Sequence, residues 1–164
     1  MKKIFLACVL GAMLVPAVAE AQHSISAGVG VPICAFGAIE DMAGSSCISG
    51  DFLWFNVPIV YRYRVNDWFA AGGGLMLNIF AGGDVGAMGG ELVGSLRFYA
   101  VPEYLYFDAD ILLGFPFFFS IAPSLGLAVP IGSVSIFLEN QVPLMFIGGV
   151  LGFWQPVLGV EFRF

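Results

Sequence analysis

Beyond residue 23 the chain alternates apolar residues with small or polar ones, and the alternation has a period of two. In 24–31 (SISAGVGV), Ile25, Ala27, Val29 and Val31 share one side, and Ser24, Ser26, Gly28 and Gly30 share the other. Successive side chains of an extended backbone point to opposite faces, so this is a strand pattern. It recurs in 53–65, where Leu53, Phe55, Val57, Ile59, Tyr61 and Tyr63 oppose Asn56, Arg62 and Arg64. In 91–99, Leu92, Leu96 and Phe98 oppose Glu91, Ser95 and Arg97; in 105–114, Phe107, Ala109, Ile111 and Leu113 oppose Asp108 and Asp110. Segment 118–129 sets Phe119, Ile121, Leu125, Leu127 and Val129 against Ser120, Ser124 and Gly126. Segment 134–142 sets Val134, Ile136 and Leu138 against Ser135, Glu139 and Gln141. In 152–164, Trp154, Leu158, Val160, Phe162 and Phe164 oppose Gln155, Gly159, Glu161 and Arg163. The glycine-rich 68–79 completes a set of eight strands, with its facing open.

Short connections rich in turn residues fall at 65–68, 100–103 and 131–133, which is every second connection. All five tyrosines (61, 63, 99, 104 and 106) and Trp68 cluster near the first two turns. They predict an aromatic girdle at one membrane interface.

Composition decides what kind of β-protein this is. Of 164 residues, 59% are hydrophobic and 11% charged, with a mean hydropathy of +0.92, whereas a soluble domain carries about 25% charged residues. That excludes an ordinary soluble globule, and an aromatic content of 15% excludes disorder. A net charge of −6 lacks the basic stripe that nucleic-acid binding needs. In lipid only helices and closed barrels satisfy their own backbone groups. A helical reading draws on 111–138, which holds no charge, but Pro116, Pro123 and Pro130 would each remove a helix donor. The arginines also sit within the patterned segments rather than in loops. The fold class expected is all-β, an eight-stranded antiparallel transmembrane up-and-down β-barrel, with the even strand number of bacterial single-chain barrels.

Residues 1–21 read as a signal peptide: Lys2 and Lys3, an apolar run over 4–18, then small residues at Ala17, Ala19 and Ala21. The run is short of the roughly 20 residues a spanning anchor requires. The barrel domain is then 22–164. Lys2, Lys3 and Glu20 leave with the signal, so Arg62, Arg64, Arg97 and Arg163 face eleven acids and no lysine remains.

The chain ends in Phe164, with Phe162, Val160 and Leu158 at alternate positions before it. With the signal and the eight-strand pattern, this resembles the small Gram-negative outer-membrane β-barrels of the OmpA/OmpX type. The resemblance implies residence in the cell outer membrane among its lipids. It also implies biogenesis through periplasmic chaperones and the barrel-assembly machinery, which reads the terminal Leu158, Val160, Phe162, Phe164 pattern. The chain departs from that family in its short, apolar loops and in having nothing after the barrel, which weakens an expectation of adhesion through long polar loops.

An eight-stranded barrel is only wide enough for side chains to fill it, and charges there are tolerable when paired. The inward cluster Arg62, Arg64, Arg97, Asp108, Asp110, Glu139, Glu161 and Arg163, with Glu91, therefore reads as a salt-bridged plug. The expected function is a non-enzymatic integral outer-membrane protein with a structural or interaction role. The alternative is a narrow, porin-like channel or conduit for ions or small hydrophobic ligands through the same groups. Cys34 and Cys47 bracket the first long connection, and an oxidising compartment favours a disulfide between them over two free thiols. The adjacent His23 and Ser24 lack the spacing of a catalytic pair, and Asp108/Asp110 is an acid/base dyad only if its arginine neighbours are ignored. No phosphate loop, zinc spacing or nucleotide signature points to a cofactor or metal. Phe115, Phe117, Phe118, Phe119, Met145, Phe146 and Ile147 form either a hydrophobic-ligand surface or the membrane-embedded tops of strands.

Overall fold

The computed structural model describes residues 23–38, 44–47, 53–82, 85–114, 118–146 and 149–164; for 34, 38, 44–47, 82, 85 and 86 it describes the backbone alone. The signal segment 1–21 lies outside these, as do Phe115, Phe117 and Ile147. The described residues form eleven strand segments: β1 (His23–Gly30), β2 (Cys34–Ala38), β3 (Gly44–Cys47), β4 (Leu53–Asn66), β5 (Phe69–Gly82), β6 (Val85–Val101), β7 (Leu105–Gly114), β8 (Phe118–Ile131), β9 (Val134–Gln141), β10 (Leu144–Phe146) and β11 (Val150–Arg163).

Ten of these segments occupy eight positions in a closed antiparallel ring. Neighbours in sequence pair from β4 through β8, β8 pairs β9 and β10, both pair β11, and β11 returns to β1. Closure runs from Ser24 opposite Arg163 to Gly30 opposite Val157, and His23 and Phe164 exchange backbone hydrogen bonds of 3.0 and 2.9 Å. Among the described residues each of the eight ring positions pairs with a neighbour on both sides, which is what a backbone surrounded by lipid must achieve. The described residues of the uncharged 111–138 stretch lie on β7, β8 and β9 and the turn at 132–133, so the helical reading is excluded there.

Two barrel positions are broken at proline. β1 continues through residues 31–33 into β2, which also pairs β11; Val31 N and Ile33 N donate to Pro156 O (3.2 Å) and Trp154 O (2.9 Å) around Pro32. Pro143, with no N–H to give the ladder, separates β9 from β10. The extra segment β3 pairs β2 outside the ring path, with Cys47 opposite Cys34 in register. The side chains of both cysteines lie outside the described set.

Burial alternates along the strands: β7 and β9 each show four buried positions interleaved with outward ones. Leu75, Leu92, Leu96, Ile111, Leu125, Leu127, Val129 and Leu158 are among the large apolar side chains exposed outside. A soluble protein rarely shows so continuous an apolar exterior. The glycine-rich strand β5 now has a facing: Ala70, Met76 and Asn78 are buried inside and Leu75 is exposed outside. Gly72 and Gly74 are required there, because a Cβ on either would strike the backbone of β4 at Tyr61–Arg62 and Ile59–Val60.

The tight turns at 67–68, 102–104 and 132–133, together with His23 and Phe164, define a turn end; the longer connections define a loop end. Of the expected aromatic girdle, Tyr61, Tyr63, Trp68 and Tyr104 are exposed near the turn end. Tyr106 and Tyr99 correct that expectation. Tyr106 is buried inside, and Tyr99 lies under Arg64, whose Cζ sits 4.9 Å from the ring centroid. Both stand an even number of residues from inward-facing Asp108 and Arg97, so strand parity outweighs proximity to the turn.

Candidate functional site

The interior is layered along the barrel axis. At the turn end Glu103 meets Arg163 at 3.1 Å and Arg64 at 3.8 Å. Glu103 sits in the turn at 102–104 with φ of 71°, a left-handed value uncommon outside glycine. That conformation places its carboxylate where two arginines converge. Arg163 also bonds Ser135, whose side chain enters from β9.

In the middle, Arg97 (β6) is the hub. Its Nε and Nη2 donate to Asp108 Oδ1 and Oδ2 at 2.8 and 2.7 Å, a bidentate fork on the cross-strand neighbour. Its Nη1 donates to Glu161 Oε2 at 2.7 Å, across the lumen on β11. Glu139 lies 3.6 Å from Nη2, and the guanidinium stacks on Tyr106 with Cζ 3.6 Å from the ring centroid. Tyr106 rests over Gly126, the one residue type that fits, since a Cβ there would run into the ring.

Arg62 (β4) completes the network. It donates to Asp108 Oδ2 (3.0 Å), Ser95 Oγ (3.0 Å) and Ser26 Oγ (2.8 Å), so every nitrogen of its guanidinium has a partner. Glu139 is equally saturated, accepting from Tyr106 Oη (3.1 Å), Ser124 Oγ (2.8 Å) and Gln141 Nε2 (2.8 Å). The structure thus joins Arg62, Arg97, Asp108, Glu139 and Glu161 in one buried network and puts Arg64 and Arg163 in a second cluster with Glu103. Asp110 lies inside beside Ser95, but one of its oxygens has no hydrogen-bond partner among the described residues.

Carboxylate oxygens of Asp108, Asp110 and Glu139 approach one another within 4.8 Å, close enough for a metal ion. Two of the three already serve Arg97, and Asp108 also serves Arg62. Asp108 and Glu139 are thus already matched by arginine charge. Asp108 accepts three arginine N–H bonds, so its carboxylate is committed as the counterion of two guanidiniums. His23 and Ser24 face opposite sides of β1: His23 bonds Tyr61 Oη at 2.5 Å and stacks on Phe164, while Ser24 is buried inside. They do not form a pair.

Sequence parity identified the inward charges and the inward amides Asn56, Gln141 and Gln155, but missed Glu103, Tyr99, Tyr106 and, on the strand whose facing it left open, Asn78. Parity was sufficient to find the two tyrosines. For Glu103 the only signal was a carboxylate in a turn at the same depth as Arg64 and Arg163. Of the apolar group at the loop end, Phe118, Phe119, Met145 and Phe146 lie on strands β8 and β10, and Phe119 stacks on Phe146 with centroids 5.7 Å apart. They are strand tops.

The closed ring, apolar outside and ionic inside, defines a small eight-stranded transmembrane-type β-barrel. Its fold is that of small outer-membrane barrels. The crystal structure of Ail, the attachment invasion locus protein of Yersinia pestis, is similar over 88% of this chain and 99% of that one, at 17% identity and a TM-score of 0.56. Ail in complex with the heparin analogue sucrose octasulfate is similar over the same shares, at 15% identity and a TM-score of 0.52. The outer membrane protein OprG from Pseudomonas aeruginosa aligns over 88% of this chain and 96% of that one, at 9% identity and a TM-score of 0.44. No protein-family model matches the chain, and no curated protein matches it.

Proposed function

We propose that this protein is an integral outer-membrane β-barrel of Gram-negative type, non-enzymatic, whose lumen is closed by a salt-bridged plug and whose role is structural or interaction-bearing. The observation that carries the reading is Arg97, almost wholly buried at mid-lumen and bonded at once to carboxylates on β7 and β11. A side chain that ties strands across the lumen fills the space an ion would need. Signal-peptide cleavage after residue 21, passage through the periplasm and insertion through the C-terminal Leu158, Val160, Phe162, Phe164 pattern belong to the same reading. The outward apolar belt supports lipid as the surroundings.

A Cys34–Cys47 disulfide belongs to it too. The two residues are direct register partners of β2 and β3, and directly opposed strand residues have Cα atoms about 4.5–5.5 Å apart, within the range a disulfide bridges.

Planar-bilayer recording of the refolded barrel tests the function. The plug reading expects no steady current; discrete conductance steps that change in Arg97→Ala would replace it with the narrow-channel reading. A comparison of lipid A mass spectra with and without the protein tests the absence of enzymatic activity on the surrounding lipid.

A further inference from the structure

Above the ionic layer, toward the loop end, the interior changes character. On β4 to β8 an apolar cluster of Val60, Met76, Val93, Leu112 and Ala122 lies between the arginines and a second polar set. Here a pocket is lined by Asn56, Glu91 and Ser120 together with Trp54, Met145 and Phe153 among others. Asn56 Oδ1, Glu91 Oε2 and Ser120 Oγ are all buried and all without a hydrogen-bond partner among the described residues. Buried polar atoms are normally paired, so three orphans around one pocket call for an explanation.

Two hydrogen-bond chains show what the orphans require. The first starts at Glu139, an acceptor-only carboxylate. Gln141 Nε2 donates to it (2.8 Å), Gln155 Nε2 donates to Gln141 Oε1 (3.3 Å), and Asn56 Nδ2 donates to Gln155 Oε1 (2.6 Å). Each amide has its orientation set by the one before, and the last must turn its carbonyl oxygen to the pocket. The second starts at Trp54, a donor-only indole. Trp54 Nε1 donates to Asn78 Oδ1 at 3.4 Å, and Asn78 Nδ2 donates to Glu91 Oε1. This turns Asn78 so that it covers one Glu91 oxygen and leaves the other free. Both chains therefore end in acceptors.

Glu91 also lacks a countercharge. Beyond residue 3 the chain's only Lys or Arg side chains are Arg62, Arg64, Arg97 and Arg163. All four are engaged at other carboxylates toward the middle and turn end. A carboxylate buried without a cation is costly. The pocket has free room for a group about the size of one water. Water is neutral and has two donors, one fewer than the three acceptors around the pocket. An alkali ion asks for more oxygens than these three supply. A primary ammonium has three N–H donors and a positive charge, and the indole of Trp54 and ring of Phe153, 4.9 Å apart by centroid, line the same pocket.

We propose that the loop end of the barrel interior binds the ammonium group of a small primary amine, held by Glu91, Asn56 and Ser120. The alkyl part points toward the loop end along Met145 and Phe153. The site goes beyond the plug function and stands whether or not the lumen conducts, because it lies on the loop side of the ionic layer.

The test is isothermal titration calorimetry of the full barrel, refolded in detergent, with methylammonium chloride at constant ionic strength. Sodium chloride and tetramethylammonium chloride, which has no N–H donor, are the comparison titrants. Methylammonium binds saturably. Glu91→Gln, checked for its heat-dependent gel mobility, weakens binding by about tenfold or more, as loss of a charge-assisted bond implies. Ser120→Ala removes one neutral partner and weakens binding about threefold; it carries the test if Glu91→Gln does not fold. Absence of saturable heat means the pocket holds only water and overturns the proposal. So does an equal response to sodium or tetramethylammonium, or an unchanged affinity in the folded variants.

Discussion

Replacing Arg97 with alanine is the sharpest perturbation of the interior. The side chain is 2% exposed and makes three charge-assisted bonds of 2.7–2.8 Å to Asp108 and Glu161, besides its stacking on Tyr106. Its removal leaves Asp108 with Arg62 alone and Glu161 with no bonded cation among the described residues. Breaking a buried pair by removing one partner costs about 3–5 kcal/mol. Arg62 holds on to Asp108, which places the expected loss near the lower bound, about 3 kcal/mol. With an m-value of about 2 kcal/mol/M, the urea midpoint of the barrel in lipid vesicles falls by about 1.5 M. Unfolding is followed by tryptophan fluorescence and by the heat-dependent gel shift. Arg97→Lys, which keeps the charge but not the bidentate fork, should retain part of the stability. Glu161→Gln in the Arg97→Ala background should recover stability, because it removes the charge left without a partner. A loss below about 1 kcal/mol for Arg97→Ala, the range of an exposed pair, would refute the claim that the network is buried and coupled.

Further expectations follow from other contacts. Gly126→Val forces Tyr106 off its seat and with it the stacked Arg97, so it should cost about 1–3 kcal/mol, the usual penalty of overpacking, read from the same urea titration. Joint replacement of Cys34 and Cys47 by serine should lower the stability of the oxidised protein by roughly 3 kcal/mol for a loop of about 14 residues; equal stability of oxidised wild type and variant would remove the disulfide. Deleting Phe164 should lower the amount of barrel assembled in cells far more than its refolding yield in detergent. Equal loss in both settings would make the residue a packing element, through its stack on His23, rather than an assembly signal.

Seven of eight barrel positions were assigned a facing by parity, and for Arg62, Arg97, Asp108, Asp110, Glu139 and Glu161 the inward direction followed from neighbours two residues away. The exception, β5, is rich in alanine and glycine, whose small side chains carry no hydrophobic contrast. The tyrosines show the opposite error. Closeness to a turn suggested an interface role for Tyr99 and Tyr106, although their parity pointed inward.

What the sequence by itself determined is local: extended segments, the side each residue takes, the turns, and the fact that four arginines must share one interior with an excess of acids. A period-two pattern needs only the pleat of one strand. Partnership is another matter. Arg97 reaches Glu161, 64 residues away, only because β1 closes on β11 in one register that sets the depth of every inward side chain. The same closure brings Asn56 to Gln155 across 99 residues, and so decides which way that amide turns and where an unpaired acceptor is left. Depth and polarity of this kind depend on the stagger of strands around a ring, a property no single strand contains.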